Sequence, residues 1–292
     1  MKRYMRKTFL IIGVIFIVLW SLIPIYWALN LSLMYHFEVY STPAHLLPKY
    51  ITLYNYLRSL GFNAYNPFTG KDDPPVGYPI KESLFNSFVV AAMVSIFTVL
   101  IATPAGYALG RYKARHTNIL ITLLLGSRTL PPVSILIPLY IIGLRYGLIG
   151  TIYGIVIMHL AIMLPLATWI LMGFFSVFPS EIEKAERNDG ATRLQALIYV
   201  VIPTARPAII SVGLISFLFS YNEFLFSWVF TGGTPAQTIQ PTIASMWFMI
   251  GEVNIMAAGT ILSLIGPIVI ALLFQRYIVQ VRLVDPYALT VE

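Results

Sequence analysis

The chain has 292 residues, of which 58% are hydrophobic and 11% charged, with a formal net charge of +7 and no cysteine. A soluble domain carries about a quarter charged residues to cover its surface, so a globular enzyme is excluded and an integral membrane protein is expected. Disulfides, thiolate metal sites and cysteine nucleophiles are excluded too, and the basic residues lie scattered in short loops between apolar runs rather than in a nucleic-acid-binding patch.

About 30 Å of hydrocarbon at 1.5 Å per residue needs roughly 20 apolar residues. Six runs meet this: 8–33, 83–109, 118–142, 150–173, 207–230 and 256–279. The first follows Lys2, Arg3, Arg6 and Lys7; it is too long for a signal peptide and lacks a small-residue cleavage site, so it reads as a retained helix. Residues 35–82 form the longest loop. In it Tyr50, Tyr54, Tyr56, Leu57 and Leu60 suggest a short amphipathic helix at the membrane interface, and the Asn66–Pro79 stretch, rich in Pro and Gly, suggests irregular turns.

The second span ends on Gly106 and Gly110, and the fourth starts on Gly150 and Gly154; both pairs have the GxxxG spacing of close helix approach. Pro24, Pro104, Pro131, Pro132, Pro138, Pro165 and Pro267 interrupt the spans and favour kinks, whose freed carbonyls must be buried or face water. Three ionisable residues fall at membrane depth: Arg128 in span three, His159 in span four and Glu223, beside Asn222, in span five. Such residues suggest function by default. On straight helices Arg128 and Glu223 differ in depth by roughly 9 Å, a long reach for a direct pair. Arg128, Asn222 and Glu223 are candidates for a substrate pathway, with a structural contact as the competing reading. His159 is expected to hydrogen-bond to a neighbouring helix.

Thirteen Lys and Arg fall on the side holding the amino terminus, the loop after span two, the loop between spans four and five, and the tail; five fall on the other side. With six spans, the positive-inside bias places both termini in the cytoplasm of a multi-pass cell-membrane protein. Two divisions are expected: 1–82, the first span with the long external loop, and 83–292, a five-helix core containing the loop 176–206.

That loop is the only long polar stretch on the cytoplasmic side. Ser180 and Glu183 make a capping box that starts a helix near Glu181, and Asp189-Gly190 should stop it. Thr192 and Gln195 make a second box, followed by an apolar stripe of Leu194, Leu197, Ile198 and Val201 that Pro203 should end. The expected form is a helix, a glycine corner and a second amphipathic helix. Such a hairpin suits the docking of a cytosolic protein, although a folded connector has the same grammar.

The segment Glu181-Ile-Glu-Lys-Ala-Glu-Arg-Asn-Asp-Gly-Ala-Thr, continuing to Pro203, resembles the EAA loop of ATP-binding-cassette (ABC) importer permeases. That pattern is Glu-Ala-Ala, three residues, Gly, nine residues and Ile-x-Leu-Pro; Gly190 and Pro203 match at that spacing, with Ala185 as the central alanine. Lys184 stands at the glutamate position and Glu186 at the second alanine, leaving Glu183 or Glu186 as acidic substitutes. Asn86-Ser87, Ala105–Arg111, Arg128–Pro132 and Tyr221–Leu225 extend the similarity to carbohydrate permeases of the maltose-transporter G-subunit type over nearly the whole chain. The tail Asp285–Glu292 departs from the ending of many relatives.

The resemblance implies an all-α type I ABC importer permease with six transmembrane helices and a cytoplasmic coupling helix. It implies half of a translocation pathway for a disaccharide or oligosaccharide such as maltose or trehalose, in the lipid bilayer. The implied partners are a second permease like the maltose-transporter F subunit (MalF-like), an ATPase dimer and an extracytoplasmic sugar-binding protein. Glu183, Lys184, Ala185, Glu186, Asp189, Gly190, Ala191 and Pro203 would couple to the ATPase. No phosphate loop, zinc-ligand spacing or serine elbow occurs in the sequence, so no catalytic residue is expected; ATP and magnesium would sit on the partner. The alternative is a stand-alone transporter that couples ions through Glu223, Arg128 or His159, although the two related halves common in such folds are not visible.

Overall fold

The computed structural model describes residues 2–43, 45–77, 80–111, 117–249 and 251–280. The basic loop residues Lys113 and Arg115, Arg282 and the tail from Asp285 lie outside the described residues. The helices in chain order are α1 (Lys2–Ser32), α2 (His36–Val39), α3 (Tyr54–Ser59), α4 (Ile80–Arg111), α5 (Thr117–Thr129), α6 (Pro132–Arg145), α7 (Ile152–Ser176), α8 (Ser180–Asn188), α9 (Arg193–Ala196), α10 (Ile202–Thr204), α11 (Arg206–Asn222), α12 (Leu225–Thr231), α13 (Ile239–Met249) and α14 (Val253–Gln280). A π-helical turn, Leu197–Val201, joins α9 to α10.

Four helices are long and apolar enough to cross a membrane among the described residues, or up to six if bent pairs count as single spans. The chain is an all-α membrane protein.

The chain divides into two compact units. The first holds the chain up to Leu84 together with Pro241–Gly266. In it the loop after α1 is more ordered than its turn-rich composition suggests. Strands β1 (Ala64–Asn66) and β2 (Lys71–Asp73) pair antiparallel with Tyr65 opposite Asp72, closed by a turn in which Gly70 is left-handed, φ +67°. The short helix α3 does form, but Tyr54 and Asn55 point inward rather than along an interface. Asn55 donates to the carbonyls of Ser32 and Met34 and accepts from Asn254, tying the loop to α1 and α14. Burial and a hydrogen bond donated to Asp73 push the Tyr54 hydroxyl up to about 12.

The second unit comprises Phe85–Gln240 and the chain from Pro267 on. Its main core joins α4, α7, the π turn and α11 through Tyr107, Met163, Leu171, Phe175, Phe178, Leu197, Val201 and Ile209. The Gly106–Gly110 spacing makes the expected close approach: a Cβ on Gly106 would stand 2.8 Å from Leu171 Cβ, and one on Gly110 2.8 Å from the Met172 carbonyl. The Gly150–Gly154 pair does not. Gly150 is left-handed in the turn before α7, and a Cβ on Gly154 would meet the Leu148 carbonyl of that same turn.

Span three, read as one run over 118–142, is broken: Ile119–Thr129 and Pro132–Arg145 meet at 98°. Pro131 sits in extended backbone, φ −59° and ψ 130°, because the following proline disfavours the helical region. Span five, read as continuous over 207–230, is interrupted at Glu223, whose ψ is 127°. Helix α13 is too short for the span-length criterion and was passed over by it.

Candidate functional site

The hairpin from Ser176 to Arg206 has the helix–corner–helix form expected from its capping grammar. Helix α8 closes at Gly190, left-handed at φ +94°, where the Ala191 N–H reaches back to the Glu186 carbonyl at 3.1 Å and the Asp189 N–H to that of Ala185. This is the helix-ending bond pattern that a left-handed residue permits, and glycine carries no Cβ penalty there. Helix α9 then starts on a reciprocal cap: the Gln195 N–H donates to Thr192 Oγ1, and the Thr192 N–H donates to Gln195 Oε1 at 2.8 Å.

Pro203 does not end the second helix as expected. In the π turn ahead of it the Ile202 N–H bonds the Leu197 carbonyl five residues back. Pro203 then occupies the first turn of α10, where its missing N–H is tolerated. The turn of direction comes at Ala205, between segments inclined at 76°. Leu197 and Val201 are buried in the main core while Leu194 and Tyr199 stay exposed, so the hairpin is rooted along one stripe.

Among the expected coupling residues, Ala185, Asp189 and Gly190 are exposed and Glu186 and Ala191 partly so; the Lys184 side chain lies outside the described residues. Glu183 faces inward. Its carboxylate stands 3.3 Å from Arg111 Nε, an ion pair with both side chains 12% exposed; Nε lies off hydrogen-bond alignment. Arg111 closes α4, and its other two nitrogens donate to the Phe178 carbonyl at 2.8 Å and the Pro179 carbonyl at 3.2 Å. Sequence reasoning placed Arg111 among the loop cations and at the end of the Ala105–Arg111 stretch; no local pattern marks this reach to residues 67 and 68 positions away.

The second candidate region is a groove of about 580 Å³. It is lined by Arg128, Pro132, Pro138, Ile162, Pro165, Phe219, Glu223 and Phe226 among others. Arg128 and Glu223, separated in depth on straight helices, share this groove. Each is held by its own element. Arg128 Nη1 donates to the Ile162 carbonyl at 3.0 Å, in the turn that Pro165 disrupts. The Glu223 carboxylate accepts from the Phe226 N–H at 3.0 Å and the Ser227 N–H at 2.9 Å. It thereby satisfies the first donors of α12, where a negative charge is favoured. Asn222 donates to the Leu218 carbonyl of its own helix at 2.8 Å and is not among the groove-lining residues.

His159, fully buried on α7, completes the break. Its Nε2 lies 3.1 Å from Glu223 Oε2 and its Nδ1 2.8 Å from Ser220 Oγ. The carboxylate only accepts, so Nε2 donates to it, and in the neutral ring Nδ1 accepts from the Ser220 hydroxyl. Histidine and glutamate therefore fix the kink between α11 and α12 from inside, while one edge of the carboxylate borders the groove. No cluster that could hold a metal occurs among the described residues. Arg128, Glu223 and Ser127 are the polar side chains of a groove otherwise lined by apolar residues and prolines.

A family model described as "Binding-protein-dependent transport system inner membrane component" matches residues 102–282, a stretch that contains the hairpin and the groove. The chain is 31% identical over 282 residues to the trehalose/maltose transport system permease protein MalG of Thermococcus litoralis, covering 96% of each. It is 31% identical over 264 residues to the trehalose transport system permease protein SugB of Mycobacterium tuberculosis, covering 89% of this chain and 90% of that one. A chain from the crystal structure of a bacterial ABC transporter involved in the import of the acidic polysaccharide alginate superposes with a TM-score of 0.68. At 19% identity, covering 93% of this chain and 96% of that one, it shows the shared fold.

Proposed function

We infer, since the chain belongs to the binding-protein-dependent transport system inner membrane components, that it is a permease subunit of an ATP-driven importer for a disaccharide or short oligosaccharide. Both 31%-identical relatives are named for trehalose transport, one of them for maltose as well, and this supports the substrate class. The importer assembles from this chain, a second permease, an ATPase dimer and an extracytoplasmic sugar-binding protein. ATP and magnesium belong to the ATPase, and this chain catalyses no reaction. Both termini face the cytoplasm, following the thirteen-to-five distribution of basic residues.

The observation that carries the reading is the hairpin. An exposed helix ends in an obligate glycine corner, and its return helix roots in the core that joins α4, α7 and α11. A push on α8 is therefore delivered to packed spans, which deform little. Alternating access follows when that push shifts the groove-lining elements. Arg128 and the free edge of the Glu223 carboxylate offer hydrogen bonds to sugar hydroxyls there.

Co-purification tests the assembly: the tagged chain should bring down an ATPase and a second permease. Gly190→Asp, which places a side chain and a charge on the exposed left-handed corner, should abolish ATPase association or uncouple hydrolysis from uptake. Full uptake by this chain alone in vesicles, as an ion-coupled transporter would give, refutes the reading.

A further inference from the structure

The docking helix has little apolar surface of its own. Its sequence, Ser180-Glu-Ile-Glu-Lys-Ala-Glu-Arg-Asn188, offers one large apolar side chain, and Ala185 is exposed. The return helix is held by Leu197 and Val201 in the core, but something else must hold the near end of α8. Arg111 stands at that point. It is the last residue of α4, whose final turns are pressed against α7 through Gly106 and Gly110.

From there one guanidinium meets three groups on the other side of the α7–α8 turn: the carbonyls of Phe178 and Pro179, and the Glu183 carboxylate. It also lies 5.7 Å from the centre of the Phe178 ring. The two carbonyls lie just past the end of α7, where backbone acceptors lack helical partners. A cation at the end of α4 is favoured by the helix dipole. Only a planar fork reaches acceptors in several directions at once; a lysine ammonium at this site would keep the charge and lose part of the contact.

We propose that Arg111 is a positioning residue of the transport cycle, the joint through which movement of α8 reaches the α4–α7 pair. It acts through Glu183 and the two carbonyls and touches neither nucleotide nor solute. The proposal rests on the reading of the hairpin as the ATPase dock. It also separates the acidic residues of the loop: Glu183 belongs to the joint, while Glu186 and Asp189 are left for the outer surface.

The test uses the complete importer in liposomes, with its binding protein and sugar, comparing wild type, Arg111→Met and Arg111→Lys. Methionine keeps the apolar stem and removes every polar contact. Sugar taken up per ATP hydrolysed should fall about tenfold in Arg111→Met, a usual size for a coupling free energy, with Arg111→Lys between it and wild type. An unchanged ratio overturns the proposal, even if both rates fall together with the amount of assembled complex.

The natural chain has no cysteine, so a second measurement needs no background removal. Spin labels on Asn188→Cys in α8 and Leu100→Cys in α4, both at exposed positions, report the distance across the joint in nanodiscs. Arg111→Met should broaden that distance distribution, and an unbroadened one overturns the proposal even where the complex fails to assemble. If the wild-type chain recruits no ATPase at all, the docking reading fails instead, which separates the two failures.

Discussion

Gly190 and Glu223 both mark the end of a helix in the second unit, and they do so by different physics. At Gly190 the cause is local. The backbone turns left-handed, nothing lies within 4 Å of where a Cβ would stand, and the bonds that close the helix span five residues at most. At Glu223 the backbone has neither proline nor glycine to excuse the break. The chain leaves the helix because a carboxylate there satisfies the first N–H groups of α12 and a histidine 64 positions earlier in sequence. In the proposed function, the interruption that exposed chain makes for itself is the corner for docking, whereas the one built from buried partners holds the pathway in shape.

The contrast can be broken first at Glu223. Glu223→Ala leaves the His159 N–H and two backbone N–H groups without an acceptor, and should cost about 1–3 kcal/mol for each of these donors that stays out of reach of water. Thermal unfolding of the solubilised complex reads this. Glu223→Gln, which keeps a carbonyl acceptor, should lose distinctly less; equal losses would mean that the carboxylate is not the cap.

His159→Phe attacks the same break from the other helix. It takes the ring N–H from a Glu223 oxygen that keeps the Ser227 N–H, and the acceptor from the Ser220 hydroxyl, at about 1–3 kcal/mol by the same unfolding measurement, and it should disturb uptake without touching ATPase association. Loss of association would blur the distinction between the two breaks.

Gly190→Ala should cost about 1–2 kcal/mol, the penalty for an L-residue forced left-handed. Gly190→Asn, a residue that visits this region more readily, should cost less. If Asn and Ala behave alike, packing rather than backbone strain rules the corner.

The smallest effect belongs to Thr192→Ala, which removes the cap of α9 for about 1 kcal/mol. Amide exchange confined to the start of α9 would register it, and exchange spreading into the core would show that the cap carries more than a local load.

The sequence analysis read the form of the hairpin because much of its information is short-range: the Thr192–Gln195 cap, a glycine and part of an apolar stripe, whereas Glu183, expected in the first cap, pairs with Arg111. The same analysis expected Pro203 to end the second helix, and failed there because a π turn ahead of the proline removes the conflict. Gly106 and Gly110 read as one seam and Gly150 and Gly154 as another; spacing is identical in the two pairs, but Gly150 sits in the turn before α7 and a Cβ on Gly154 would meet that turn rather than another helix. Arg128 and Glu223 were picked out by their cost in a membrane. As candidates for one pathway they do line one groove; depth along straight helices keeps them apart, and the 98° bend at Pro131-Pro132 is what that measure leaves out. Arg111 stands out in sequence by its charge and as the end of the Ala105–Arg111 stretch, and neither marks its contacts with Phe178, Pro179 and Glu183.

Composition and hydrophobic run length by themselves determined that this chain is helical and crosses a membrane, because a bilayer leaves no other partner for the backbone. Local capping chemistry determined the hairpin, since its donors and acceptors are neighbours in sequence. Tertiary structure alone decided where span five breaks, which acid of the loop faces inward, and which histidine meets which glutamate. Those outcomes depend on groups brought together across many tens of residues, and their energies arise only once the helices have packed and water has gone.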